Sequence, residues 1–425
     1  MLGSLNNSSS SQDAEEAPDL QYHRPQSQAI HMRQLLISCA ELVSQSDFSS
    51  AHRLISLCSN ASPYGDSTER LVHQFTKALS VRISRLRSNL GSHHQLLSMM
   101  NINNDPFRPQ VTAASNVLIS PITATTINTD DQIQSCYLSL NQITPFIRFS
   151  HLTANQAILE AIQVGQQAIH ILDFDIMHGV QWPPLMQSLA ERSNPPMLRI
   201  TGTGQDLNLL HRTGDRLSKF AQSLGLRFQF HPLLLPNNHD PAAASNVALH
   251  PDEALAVNCI MYLHRVLKDD SRDLRLFLHK IKALNPVVVT VAEREANHNH
   301  ALFLQRFVEA LDHYTAIFDS LEATLPPNSR ERLAVEQIWF GKEIMDIVSA
   351  EGENRRERHE RLETWEVMLR SSGFYNVPLS PFALSQAKLL LRLHYPSEGY
   401  QLQIVNNSFF LGWQNRALFS VSSWR

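Results

Sequence analysis

Apolar runs alternate with helix-patterned stretches from residue 168 to about 292, short-looped β-rich runs close the chain, and purely helical periodicity precedes both. Together these predict an α/β fold: a methyltransferase-like Rossmann core with antiparallel C-terminal strands, plus an all-helical N-terminal unit. Strands separated by helices pair in parallel through right-handed crossovers, whereas strands joined by short polar turns pair antiparallel. The 425 residues suffice for one large domain of this kind with additions. A hydrophobic content of 43% against 18% charged supplies its core.

Residues 1–28 are rich in Ser, Asn, Gln and acids, and are expected to be a disordered tail because they bury too little to offset ordering entropy. From Ala29 the pattern turns helical. Leu35, Leu36, Cys39, Ala40, Leu42 and Val43 make one apolar stripe. Ser46 and Asp47 break it, and Ala51, Leu54, Ile55 and Leu57 start another. Asp66 and Glu69 have capping-box spacing before a helix through Leu71, Phe75, Ala78 and Leu79. Residues 91–104 and 111–129 are Ser-, Thr-, Asn- and His-rich without a period, and read as a mobile loop near 91–129. Thr153 and Gln156 repeat the capping-box spacing before Ala157, Ile158, Ala161 and Ile162, in a helix that Gly165 ends. The helical unit thus covers 29–165, and the α/β core covers 166–425.

The core opens on Ala168, Ile169, His170, Ile171, Leu172, Asp173 and Phe174, a bounded apolar run ending in the carboxylates of Asp173 and Asp175. It reads as a strand buried on both faces. Further strands are predicted at 197–201, 227–231, 254–258 and 287–292. Helices are predicted from about Pro184, over 206–224, and around Leu274, Phe277, Leu278 and Ile281. The C-terminal third predicts helices at 300–323, 330–350 and 354–372, then strands at 388–394, 400–405, 409–413 and 418–422.

A doubly wound sheet binds ligands outside the carboxyl ends of its strands. The sequence places Asp173, Asp175, Thr203, Gln205, Asn258, Glu293, Arg294 and Glu295 there. A nucleotide or methyl-donor cofactor needs a glycine-rich turn after the first strand. Here that turn holds Gly179 alone, crowded by Trp182, Pro183 and Pro184, and only Asp206 follows the second strand where a ribose-binding acid belongs. No cofactor is expected, and the crevice acids read as helix caps or as partners of Arg294 and Arg199.

Other chemistries find little support. A net charge of −4 argues against affinity gained by neutralising phosphates. Cys39, Cys58, Cys136 and Cys259 form no CxxC pair, so a reducing compartment fits better than a disulfide framework. The 20 histidines include no HExxH and no Cys/His quartet, so no metal site is predicted. His93, His94, His298 and His300 read as solvated loop residues. No GxSxG elbow marks a nucleophilic Ser. No bilayer-spanning run and no signal peptide are evident, so a soluble intracellular protein is expected. Leu210, Leu217 and Leu224 read as the inner face of an amphipathic helix rather than a coiled coil. Arg355, Arg356, Arg358 and Arg361, interleaved with Glu357, Glu360 and Glu363, read as a solvated, ion-paired helix face rather than a DNA-binding stripe.

From about residue 30 to its end the chain resembles the plant GRAS family. Ile169, His170, Ile171, Leu172 and Asp173 resemble the VHIID signature, and residues 30–130 and 206–224 resemble the two leucine-rich regions. Pro286, Phe307, Tyr314, Lys342 and Glu343 follow the PFYRE pattern, with Lys342 where the family usually has Arg. Ser422, Ser423 and Trp424 resemble the SAW motif with Ser in place of Ala, and Trp413 belongs to the same C-terminal region. The pattern is closest to the lateral-suppressor (SCARECROW-like) group. The resemblance implies a nuclear transcriptional regulator, not an enzyme, with an α-helical cap on which residues 300–323 also pack. It implies partners among other GRAS proteins or DNA-binding transcription factors, as homo- or heterodimers, with DNA reached through them, and a role in axillary meristem initiation and shoot branching. Two alternatives remain open: a retained small-ligand or methyl-donor site in the crevice, and direct sequence-specific DNA binding.

Overall fold

The structure, a computed structural model, describes residues 23–100, 129–235 and 247–425. The tail over 1–22 and the central part of the predicted loop, 101–128, lie outside these residues. Helices α1 (His23–Ser44), α2 (Phe48–Cys58) and α3 (Ser67–Met100) are followed by α4 (Thr129–Ile143) and α5 (Pro145–Ala161). Asp47 caps α2 by accepting from Ser50 N at 3.0 Å, and Asp66 accepts from Glu69 N at 2.9 Å ahead of α3. Three boundaries differ from the sequence reading. α1 begins at His23, before Ala29, and α3 continues through Met100 instead of breaking near 91, so His93 and His94 fall on a helix. A helix can outrun its apolar period because each added residue still gains a backbone bond. Thr153 opens no helix, because it lies inside α5; that helix starts at Pro145, where a missing N–H costs nothing.

The core strands are β1 (Ala168–Asp173), β2 (Met197–Gly204), β3 (Phe228–Leu234), β4 (Glu253–Ile260) and β5 (Val288–Arg294). Four more follow: β6 (Asn376–Val377), β7 (Tyr400–Val405), β8 (Ser408–Trp413) and β9 (Arg416–Trp424). The sheet order is β3-β2-β1-β4-β5-β9-β8-β7, with β6 beside β9. The first five are parallel, and β9, β8 and β7 join antiparallel, which is the predicted methyltransferase-like arrangement. Side chains of β1 alternate between two layers. Ile169 and Ile171 pack with Leu185 and Leu189 of α6 (Trp182–Ala190) and with Leu210 and Leu217 of α7 (Leu207–Ser223). Leu172 and Phe174 face Phe277 and Ile281 of α9 (Arg272–Ala283) and Trp365 of α13 (Leu362–Ser371). The short α8 (Leu263–Val266) follows β4.

The cap joins both ends of the sequence. α10 (Phe303–Thr324) packs on α1 and α3, and α3 also packs on α12 (Gly341–Ser349). Phe75 meets Phe307 edge to face with centroids 5.4 Å apart. α12 continues from α11 (Arg330–Ala334) through a π-helical turn, Val335–Phe340.

Two sequence expectations fail in this third. Residues 388–394 are not a strand but the end of α14 (Pro381–His394). Pro381 fills its first turn and Ser380 Oγ accepts from Ala383 N at 3.1 Å, so the start signal overrides the apolar run. Nor is 354–372 one helix: 355–361 is irregular and α13 begins only at Leu362. The solvated helix face is therefore not formed, and Arg355, Arg358 and His359 are buried. Arg358 donates to Gly352 O at 2.7 Å and to Asn299 Oδ1 at 3.0 Å, and pairs with Asp269 at 2.8 Å. These partners replace the i,i+4 pairs a helix would have offered.

Trp424 is fully buried, and Trp413 lies edge to face with Tyr400 at 4.8 Å. Trp424→Ala or Trp413→Ala is expected to cost about 3–5 kcal/mol by chemical denaturation. An unchanged midpoint would place that ring outside the core.

Candidate functional site

The parallel register brings Asp173, Asn258 and Thr290 into one row across β1, β4 and β5. Asn258 Nδ2 donates to Asp173 Oδ1 at 2.8 Å, and Trp182 Nε1 donates to Asp173 Oδ2 at 2.8 Å. Thr290 Oγ1 donates to Asn258 Oδ1 at 2.8 Å. Gln181 pairs its amide with that of Asn258 at 3.1 and 3.2 Å and reaches Asn155 Oδ1 at 3.1 Å. All six side chains are buried. Burial pushes the Asp173 carboxyl up to about 7, against the two hydrogen bonds that favour its charge.

The loop after β1 is closed by its own contacts. Phe174 N donates to Asn258 O at 3.0 Å, Asp175 N to Thr203 Oγ1 at 2.9 Å, and Ile176 N to Thr203 O at 3.0 Å. Gly179 N donates to Ile176 O at 2.8 Å and Trp182 N to Gly179 O at 3.2 Å. Pro183 and Pro184 have no N–H to offer in the first turn of α6. A phosphate or carboxylate would need such N–H groups free. Gly179 serves packing instead: its φ is +61°, and a Cβ there would meet Thr213 at 2.9 Å. Asp206 caps α7, accepting from Asn208 N at 2.8 Å, so it is not held out toward a ribose.

The remaining crevice candidates are also engaged, some at helix starts as expected and others with partners the sequence did not indicate. Asp175 pairs with Arg265. Glu293 accepts from His264, with 2.7 Å to its Nδ1. Arg294 pairs with Glu343 at 2.6 Å, and Tyr314 donates to the other Glu343 oxygen at 2.9 Å. The Arg294 guanidinium lies 5.5 Å from the Phe340 ring centroid and 5.1 Å from that of Phe419. Arg199 pairs with Glu253. Glu295 leaves the crevice and accepts from Leu362 N at 3.1 Å, at the start of α13. His298, read as solvated, is fully buried, with Nδ1 3.0 Å from His359 Nδ1. The segment 355–361 covers it, a burial that local polarity does not reveal. Sequence reasoning missed Gln181, Arg265 and His264, whose only signal is proximity to strand ends and loop starts.

Between cap and sheet lies a cavity of about 1180 Å³, lined among others by Arg82, Arg85, Asp175, Lys342, Asp346 and Glu357. Gln205 and Lys342 are exposed on its wall. Its charges are mixed, which gives no bias toward one sign of ligand. No described helix is long and apolar enough to cross a membrane.

Residues 32–425 match the GRAS domain family. The chain belongs to the GRAS family. It is 55% identical over 407 residues to Scarecrow-like protein 18 of Arabidopsis thaliana, covering 93% of this chain and 91% of that relative. It is 44% identical over 423 residues to Protein MONOCULM 1 of Oryza sativa subsp. japonica, covering 92% and 88%. The crystal structure of SCL7 in Oryza sativa superposes with a TM-score of 0.72 at 34% identity, covering 93% of this chain and 99% of that one. Membership in the GRAS family supports a plant transcriptional regulator. Within this GRAS chain the PFYRE-like residues divide. Tyr314 and Glu343 join Arg294 in the buried junction, Phe307 and Pro286 are packed inside, and Lys342 faces the cavity.

Asp173→Ala leaves the buried donors of Trp182 and Asn258 unpaired, and is expected to cost about 1–3 kcal/mol for each. Asp173→Asn places an amide nitrogen against one of those donors and is also expected to destabilise. Folded Asp173 keeps its proton to about pH 7, while the ordinary value is 3.8, so the native state binds more protons between these limits. Its contribution to stability therefore falls as pH rises through that window. Denaturation between pH 4 and 7 should show a shallower pH slope for Asp173→Asn than for the parent; equal slopes would refute the assignment. Glu343→Ala leaves Arg294 buried and unpaired, with an expected loss of about 3–5 kcal/mol, read from the thermal midpoint.

Proposed function

We propose that this chain is a non-enzymatic transcriptional regulator that acts in the nucleus through protein partners, in axillary meristem initiation and shoot branching. The observation that carries the non-enzymatic reading is the closed loop after β1. Its amides at Phe174, Asp175, Ile176, Gly179 and Trp182 are all spent on the protein's own acceptors. The Asp173 row likewise presents no free polar atom for a methyl donor's carboxylate or ribose. The developmental role rests on the lateral-suppressor-like pattern and on the similarity to MONOCULM 1. A net charge of −4 supports recruitment by other GRAS proteins or DNA-binding factors over direct reading of bases.

Calorimetric titration of the purified chain with S-adenosylmethionine is expected to show no saturable heat. Stoichiometric binding would overturn the non-enzymatic reading. Affinity purification from nuclei is expected to recover the same protein partners with and without nuclease. Loss of every partner after nuclease, together with a steep salt dependence of affinity for a defined duplex, would favour direct DNA binding instead.

A further inference from the structure

The inner wall of the crevice carries a second polar cluster, built from parts far apart in the chain. His264 comes from α8, directly after β4. Glu357 and His359 come from the irregular segment that covers the end of β5. His264 Nε2 lies 3.3 Å from Glu357 Oε2, and His359 Nε2 lies 3.4 Å from the same oxygen. The two imidazoles stack with centroids 4.2 Å apart. Both histidines are at most 1% exposed, and neither Nε2 has a partner with hydrogen-bond geometry. Two buried imidazole nitrogens converge on one carboxylate oxygen at ion-pair distance but without hydrogen-bond geometry, an arrangement a shared cation would satisfy.

The geometry points to a binding site for a zinc-class divalent transition ion at His264 Nε2, His359 Nε2 and Glu357. A tetrahedral zinc with nitrogen and oxygen ligands at about 2.0–2.2 Å sets neighbouring ligand atoms about 3.3–3.5 Å apart. The 3.3 and 3.4 Å separations match that edge, and all three ligand atoms lie within 4.8 Å of one another. The outer contacts fit as well. A ligating imidazole commonly holds its other nitrogen against a carboxylate or another acceptor. His264 Nδ1 lies 2.7 Å from Glu293 Oε2, and His359 Nδ1 lies 3.0 Å from His298 Nδ1. Glu293 and Glu357 supply the two carboxylates of the site, which they share with the neighbouring Arg265 and Arg294 guanidiniums. Glu357 also lines the large cavity, which gives the ion an entry path and leaves its fourth position to water or to a partner's side chain. The sequence hid this set because its ligands have no motif spacing, and no metal was predicted from it.

Bound there, the ion would tie the end of β4 to the covering segment. That segment is also held to the cap, since Arg356 N and Glu357 N donate to Asp346 of α12 at 2.8 and 2.7 Å. The full chain, purified without a polyhistidine tag and stripped with chelator, is titrated with zinc chloride and, separately, with cobalt(II). We expect one saturable site per chain, a tetrahedral cobalt absorption spectrum, and a raised melting temperature with zinc. Glu357→Gln and His359→Asn should each weaken binding at least about tenfold, and Glu293→Gln about 10–100-fold. Absence of saturable binding, an octahedral cobalt spectrum, or equal affinity in folded Glu357→Gln would overturn the site. Should both ligand variants fail to fold, the parent cobalt spectrum alone decides. Failure of this site leaves the proposed regulatory function untouched.

Discussion

Asp173 is a carboxylate with nowhere to go except the hydrogen bonds that surround it. It accepts from Asn258 on the neighbouring strand and from Trp182 at the start of the next helix. Asn258 is fixed in turn by Thr290 and Gln181. The row links three strands, the first crossover helix and α5 through Asn155. A buried network of this kind is favourable only when every member is satisfied. It therefore fixes which way each amide points and how the loop after β1 must run. That loop is pinned by its amides to Asn258 on β4 and Thr203 on β2 as well as to its own carbonyls.

Above the row, the cap is joined to the core by a second buried junction. Arg294 leaves the end of β5, lies between Phe340 and Phe419, and meets Glu343 and Tyr314 of the cap. Buried ion pairs gain little over apolar packing, but they are costly to break one side at a time. The junction thus specifies how the cap sits more than it adds to total stability. Two residues of the PFYRE pattern, Tyr314 of α10 and Glu343 of α12, meet here a strand-end arginine that lies outside that pattern.

Much of the architecture was legible because buried parallel strands leave an unmistakable apolar run. The five core strands, the strand-end position of Asp173 and the antiparallel close all followed from that signal. Register did not. Nothing in the sequence places Thr290 opposite Asn258, or turns the Trp182 indole into a hydrogen-bond donor instead of a mere obstruction. Charge spacing misled at Arg355–Arg361, where alternating signs fit a solvated helix equally well. The guanidiniums are held instead by carbonyls and by Asp269, contacts made across the fold. Residues 388–394 misled for the opposite reason: an apolar run is neutral between strand and helix, and the cap at Ser380 decided it.

The position of β9 has a consequence for how the molecule is made. It lies between β5 and β8 in space, yet it is the last strand in the sequence. Until β9 pairs, β5 has no partner on that side and shows the unpaired backbone of a β-branched edge. Pairing β9 with β5 must bring together Arg294 and Phe419 across the long intervening stretch, and pairing over so long a separation is slow. Before that pairing the open β5 edge offers its backbone groups to any passing strand, so β9 is what keeps the centre of the sheet from pairing with another chain.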